Sequence, residues 1–212
     1  MFKHRVRLFN HVPFAEFVIA AGSMATGNIK PTSDFDVIVG ARSGRIYTVR
    51  FFSVLFLGIR GWRRGKDDGK DDGKSADKIC LNHFVTKKSY KLSGPYNEYW
   101  NTLYQNLVPM LGSLEDVQAF FDANDWMEPM REYVRSPFHE DLKPSKLRVF
   151  IENRLRGPFG DYIEAKLKDL QVKKIKESIK KADLYKPRII YNDFEMEFHP
   201  NTLRIEKYLE DN

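Results

Sequence analysis

The sequence predicts a fold of the α/β (α+β) class, in which strands dominate the first part of the chain and helices the second. Three apolar segments of strand length, all containing β-branched residues, lie within residues 1–91. After that point, apolar residues recur every three or four positions, which is the spacing of amphipathic helices. We therefore predict one domain over residues 1–91 and a mainly helical domain over residues 92–212, with a short strand and helix tail at its end.

In the first domain, the apolar segments predict three strands and one helix. "FAEFVIAAG" predicts a buried strand that ends at Gly22, and "DFDVIVG" predicts a second strand. Residues 43–60 carry apolar side chains at helical spacing. "KICLNHFVT" predicts a third strand. Because side chains alternate along a strand, one face of it should carry Ile79, Leu81 and His83, and the other Cys80, Asn82 and Phe84.

The repeat "GKDDGKDDGK" connects the predicted helix to the third strand. It contains no apolar residue, so it predicts an exposed connection. The entropy of loop closure changes by only ~0.6 kcal/mol for each doubling of loop length. We therefore expect a version of the protein with a shortened repeat to melt at nearly the same temperature.

The second domain is predicted to contain five helices and a strand or hairpin. "PYNEYWNTLYQNLVPML" has helical spacing, and Ser113 with Asp116 forms a capping-box pattern before the next helix. Ser145 caps a predicted helix that runs to about Arg156, and "DYIEAKLKDLQVKKIKESIKKA" predicts a long helix after it. Alternation in "RIIYNDFEMEFHP" predicts a strand or hairpin, and "TLRIEKYLE" a short final helix.

The amino-acid composition favours a folded protein without a membrane span or an internal disulfide. The 212 residues are 42% hydrophobic and 30% charged, which is typical of a folded chain rather than a disordered one. A net charge of +6 favours polyanionic partners such as nucleotides or nucleic acid. The single cysteine cannot form an internal disulfide, and the longest apolar run, Phe51–Ile59, is too short to span a bilayer. We therefore predict a cytoplasmic protein with no membrane partner.

Two aspartates follow a Gly-Ser pair in the stretch "AAGSMATGNIKPTSDFDVIVG". Asp34 and Asp36 are two residues apart, so a strand would direct both carboxylates to one face. Two close carboxylates repel each other unless a cation lies between them, and Mg²⁺ (or Mn²⁺) accepts such ligands together with phosphate oxygens. Gly22 permits close backbone approach, and Ser23 near a helix start suits phosphate. The stretch therefore predicts a site for a metal-bound nucleoside triphosphate.

Gly22-Ser23, followed after ten residues by Asp34-Phe35-Asp36, resembles the signature of the nucleotidyltransferase superfamily that includes DNA polymerase beta. The spacing is typical of the minimal nucleotidyltransferases. The longer pattern, which covers most of the chain, also resembles uncharacterised bacterial nucleotidyltransferase-domain proteins. The resemblance implies a core with a short mixed sheet followed by a helical domain. It implies that Asp34 and Asp36 are the metal-binding and catalytic residues and that Gly22 and Ser23 hold the triphosphate.

Three further residues belong to the nucleotide site that this resemblance implies. They are Lys30 and Ser33 in the loop before Asp34, and Arg45 after the second predicted strand. Lys30 and Arg45 are explained equally well as solvated charges. The lysines of the long predicted helix are typical of a solvated face, although such a run can also follow a nucleic-acid backbone.

Active members of the superfamily usually carry a third acid on a neighbouring strand. "KICLNHFVT" instead offers Cys80 and Asn82, and an amide is a poor base. Asp77, Glu98 and His83 are other candidates for that role.

Three hypotheses about function therefore stay open. The chain transfers a nucleoside monophosphate to a hydroxyl on a small molecule, a protein or an RNA end. Alternatively, it binds a nucleotide with impaired catalysis, or it is a nucleic-acid-binding or scaffold protein.

Overall fold

The computed structural model describes residues 2–22, 31, 33–65, 76–94, 96–126 and 136–203. Within these ranges there are six α-helices and six strands, which confirms the α+β class. The strands are β1 (Ala15–Ala21), β2 (Phe35–Ala41), β3 (Ile79–Val85), β4 (Val108–Gly112), β5 (Arg188–Tyr191) and β6 (Glu195–His199). The helices are α1 (Phe2–Val6), α2 (Ile46–Ile59), α3 (Glu98–Gln105), α4 (Leu114–Ala123), α5 (Lys146–Arg154) and α6 (Pro158–Ile179).

All six strands form one mixed sheet in the order β4-β1-β2-β3-β6-β5. β2 and β3 are parallel, and the other neighbouring strands are antiparallel. A parallel pair needs a crossover connection, which α2 provides between β2 and β3.

The sheet crosses the domain boundary that the sequence predicts near Lys91. β4, β5 and β6 all come from residues after that point. β4 pairs with β1 and β6 pairs with β3, while β5 pairs with β6. The physical reason is that the outer edges of β1 and β3 carry backbone N–H and C=O groups. Those groups would lack hydrogen-bond partners if β4 and β6 did not pair with them. The two predicted domains therefore contribute strands to one sheet.

The helix predicted over "PYNEYWNTLYQNLVPML" is wrong in its last residues, which form strand β4. The helix ends at Gln105, and Val108–Gly112 pair with β1 as an edge strand. A short apolar run such as "LVPML" has no periodicity that separates strand from helix. Pro109, which cannot donate a backbone hydrogen bond, is tolerated because the strand lies at the edge of the sheet.

Several local predictions are confirmed. Ser113 accepts a hydrogen bond from the backbone N–H of Asp116 at the start of α4, and Ser145 caps α5 in the same way. The predicted hairpin is the β5–β6 pair. The helix start predicted near Ser23, the repeat segment 66–75 and most of the final helix lie outside the described residues. None of the helices in the described ranges is both long enough and apolar enough to cross a membrane.

Apolar side chains cover both faces of the sheet. One face packs against α2 and includes Val18, Val37 and Val39. The opposite face packs against α3 and α4 and includes Phe17, Ile19 and Ile38. Asp36 is two residues before Ile38, so the alternation of β2 places its carboxylate on the face that α3 and α4 cover.

A β-bulge in β3 changes which of its side chains share a face. Asp36 pairs with Cys80 and Ile38 pairs with His83, so two residues of β2 lie opposite three of β3. The predicted alternation is therefore wrong for His83 and Phe84. His83 lies on the same face as Asp36 and Ile38, whereas Phe84 packs on the opposite face.

Candidate functional site

The candidate site lies where β1 ends and where β2 and β3 begin. β1 runs antiparallel to β2, and β2 runs parallel to β3, so these three strand ends meet at one edge of the sheet. Ala21 pairs with Asp36, and Asp36 pairs with Cys80. The topology therefore places Asp36 between the last residues of β1 and the first residues of β3.

Gly22 packs directly against the Asp36 carboxylate. Its φ is +69°, in the left-handed region that favours glycine. A Cβ at this position would lie 2.3 Å from Oδ2 of Asp36, which is shorter than a tolerable contact. Gly22 was predicted to permit close approach to a phosphate, and in the structure that close approach is made to a carboxylate.

The structure brings Asp34 and Asp36 together as their spacing predicts. An oxygen of each carboxylate and the Cys80 sulfur all lie within 4.8 Å of one another. Asp34 precedes β2 and is buried. Two nearby carboxylates that are withdrawn from water require positive charge close by.

Arg64 supplies part of that positive charge. Its Nη1 lies 2.5 Å from Oδ2 of Asp34. Burial acts to lower the pKa of this guanidinium, but the charge of Asp34 and the hydrogen bond to it outweigh burial, so the pKa is raised above its ordinary value. Arg64 lies thirty residues after Asp34 in the sequence, in the charged connection before β3. No pattern in the sequence predicts this contact.

The two side chains where a third acid was expected are both neutral. Asn82 donates from Nδ2 to Oδ1 of Asp36 over 3.0 Å. Burial, reinforced by the charges of Asp36 and Asp34, raises the pKa of the Cys80 thiol. The thiol therefore stays protonated at neutral pH and is a poor nucleophile.

The other candidates for a third acid lie in different surroundings. The backbone N–H of Asp77 donates to the carbonyl of Ser33 over 3.1 Å, which brings that residue beside the start of β2. Glu98 is exposed in the first turn of α3. His83 is buried, and its Nε2 lies 3.2 Å from Oε1 of Glu195.

The structure does not bring Arg45 to the aspartates. Arg45 follows the far end of β2, which is seven residues long, so it lies ~20 Å along the strand from Asp34. Its guanidinium is 2.7 Å from Asp161 and donates to the carbonyl of Leu155. These contacts attach the start of α2 to α6. Arg45 is thus placed to join helices rather than to bind a nucleotide at the aspartates.

Ser33 directly precedes Asp34 in the chain, and its role in binding a nucleotide stays a prediction. Ser23 and Lys30 fall outside the described residues. Comparisons with protein-family models, with curated proteins and with solved structures find no match to this chain. The resemblance to nucleotidyltransferases therefore stands on the motif residues and their geometry alone.

Proposed function

We propose that this protein binds a nucleoside triphosphate through Mg²⁺ or Mn²⁺ at Asp34 and Asp36 and transfers a nucleoside monophosphate to a hydroxyl acceptor. The observation that carries the proposal is the convergence of these two carboxylates at one edge of the sheet, within 4.8 Å of each other. Gly22, where β1 ends, contacts one of them. Carboxylate pairs of this kind suit a hard divalent cation that also binds phosphate oxygens.

The donor set supports this cation. Mg²⁺ takes one or two carboxylates and fills its remaining positions with phosphate oxygens and water. Sulfur is a soft donor that Mg²⁺ does not favour, so Cys80 would border the metal without binding it. The amide oxygen of Asn82 is a further hard donor within reach, because its amide nitrogen already contacts Asp36.

Arg64 would contact the bound phosphates. A guanidinium has five N–H donors and favours phosphate as well as carboxylate. Arg64 is held by a backbone hydrogen bond to Ile79 and lies beside Asp34, at the edge where the triphosphate would bind. It would therefore offset the negative charge that a triphosphate brings to two aspartates.

Phosphoryl chemistry of this type depends mainly on positioning and charge. The cation would neutralise charge on the phosphate oxygens, and the acceptor hydroxyl would attack the phosphorus in line with the leaving group. In the chain, Gly22 and Asn82 fix the position of the Asp36 carboxylate, while Arg64 fixes that of Asp34. The chemical identity of the acceptor follows from none of these contacts.

A second candidate function is nucleotide binding with slow or absent transfer. The observation that favours it is the neutral pair Cys80 and Asn82 beside Asp36, where an acid would accept the acceptor's proton. General-base assistance is typically worth ~10²–10⁴-fold in rate. Its loss would leave binding intact while turnover became hard to detect.

Calorimetry of ATP, GTP, CTP and UTP with Mg²⁺ tests the binding step. We expect at least one of them to bind the wild type and none to bind the Asp34→Asn plus Asp36→Asn variant. The matched control is Asp169→Asn plus Asp183→Asn, which removes the same charge from two exposed residues distant in sequence from the site. Equal binding by the wild type and the Asp34/Asp36 variant, or no binding by either, would overturn the proposal.

A transfer assay separates the two candidate functions. The protein is incubated with radiolabelled triphosphates, Mg²⁺ or Mn²⁺ and a cell extract, and labelled acceptors are then sought. A labelled acceptor that disappears with the Asp34/Asp36 variant supports the enzyme. Nucleotide binding without labelled acceptor supports the impaired binding protein.

A further inference from the structure

A second polar cluster lies under α3, between β3 and β6. His83 of β3 pairs in register with Glu197 of β6, and Glu195 is two residues before Glu197, so all three side chains share one face. Their exposed fractions are 3% for His83, 6% for Glu195 and 0% for Glu197. Ionisable side chains are almost never buried this completely without a partner that offsets the cost.

One atom in this cluster has no hydrogen bond. Oε1 of Glu197 is buried and accepts none from the described residues. Nε2 of His199 lies 3.2 Å from it, and this histidine is one of the partners that lower the pKa of Glu197 despite its burial. A buried carboxylate oxygen left without a donor is costly, and an ion is one explanation for it.

The three side chains have the geometry of a metal site. One ligand atom from each of His83, Glu195 and Glu197 lies within 4.8 Å of the others. Arg188 donates from Nε to Oε2 of Glu197 over 2.6 Å. That contact fixes the carboxylate and leaves Oε1 directed at the cluster.

We propose that His83, Glu195 and Glu197 bind a divalent first-row transition metal, with Zn²⁺ as the best fit. His199 lies beside the cluster, with its Nε2 3.2 Å from Oε1 of Glu197. Imidazole nitrogen combined with carboxylate oxygen favours zinc over magnesium. With both histidines neutral, the two carboxylates and the guanidinium sum to one negative charge, which attracts a dication.

The site is structural because an aromatic lid closes it. Trp100 of α3 packs edge-on against the ring of His199 at 5.7 Å between centroids, and Arg188 lies over the same indole. The carboxylate of Glu197 is fully buried. A metal here would join β3 to β6 and so connect the two halves of the chain within one sheet. This proposal is independent of the nucleotide site.

Zinc content and zinc calorimetry test the proposal. After incubation with Zn²⁺ and desalting, we expect about one bound equivalent in the wild type and a loss of at least about tenfold in affinity in Glu197→Gln and in His83→Gln. Asp34→Asn plus Asp36→Asn is the matched control, and it should retain the zinc. Circular dichroism establishes that each variant is folded.

Cobalt spectroscopy on the wild type distinguishes the two polar clusters without any variant. Co²⁺ bound by imidazole and carboxylate gives weak visible bands, whereas Co²⁺ bound by the thiolate of Cys80 gives intense charge-transfer absorption in the near ultraviolet. We expect the first spectrum, together with a melting temperature that rises on addition of Zn²⁺. No bound metal, a thiolate spectrum, or zinc that persists in Glu197→Gln and His83→Gln would overturn the proposal.

Discussion

Replacing Gly22 by alanine tests the central contact of the nucleotide site. The new Cβ would lie 2.3 Å from Oδ2 of Asp36, so the carboxylate has to retreat by at least 0.7 Å to restore a 3.0 Å contact. Metal–ligand distances in functional sites stay within about 0.2 Å of their ideal values. The displacement exceeds that tolerance, and we expect Mg²⁺-dependent nucleotide affinity to fall about tenfold or more, which is about 1.4 kcal/mol.

The matched control for this variant is Gly44→Ala. Gly44 also has a left-handed backbone, with φ at +77°, but a Cβ there meets nothing within 4 Å. Both variants should lose about 1–2 kcal/mol of unfolding free energy from the backbone alone. Only Gly22→Ala adds the clash, so only it should weaken nucleotide binding in calorimetry. Wild-type nucleotide affinity in Gly22→Ala, or equal losses in both variants, would refute the reasoning.

Three further variants test other contacts. Asn82→Asp places a second carboxylate beside Asp36, so the variant should melt at a lower temperature than the wild type when Mg²⁺ is absent. Addition of Mg²⁺ should restore its melting temperature, and the variant should label more acceptor than the wild type. A melting temperature that does not respond to Mg²⁺ would contradict this. Glu152→Ala removes the carboxylate that pairs with the buried guanidinium of Arg148. The free energy of unfolding, measured in urea, should fall by about 3–5 kcal/mol, and a fall below about 1 kcal/mol would count against this reasoning. In Glu140, hydrogen bonds from basic side chains hold the pKa down to about 2 from an ordinary 4.5. Glu140→Gln should therefore cost no more than about 1 kcal/mol at pH 7, because the pair is at the surface, and the difference should vanish as the pH falls from 4.5 to 2; a difference that persists at pH 2 would argue otherwise.

Short-range patterns in the sequence determined the parts of this fold that depend on neighbouring residues. Apolar segments of strand length predicted the strands around Val18 and Val37. The two-residue spacing of Asp34 and Asp36 predicted that their carboxylates would meet. Hydroxyl side chains at Ser113 and Ser145 marked two helix starts. Each of these features is set within a few residues along the chain, which is why one sequence is enough to predict it.

The tertiary structure decided what depends on distant partners. Val108–Gly112 form a strand because they pair with the edge of β1. Their local sequence pattern is equally consistent with a helix. The bulge in β3 turned His83 onto the face of Asp36 and toward Glu195, and no local signal marks it. These outcomes depend on backbone pairing between segments far apart in the chain.

At the candidate nucleotide site, too, some features were predictable from the sequence and others only from the folded chain. The sequence predicted that the two carboxylates would meet, because residues two apart in a strand share a face. The contact of Gly22 with Asp36 follows instead from the pairing of β1 with β2 in the folded chain. Only the folded chain showed that Arg64 neutralises Asp34, that Arg45 joins two helices instead, and that Asn82 contacts Asp36. Long charged side chains select their partners by proximity in space, and proximity between residues 34 and 64 exists only after the sheet has formed.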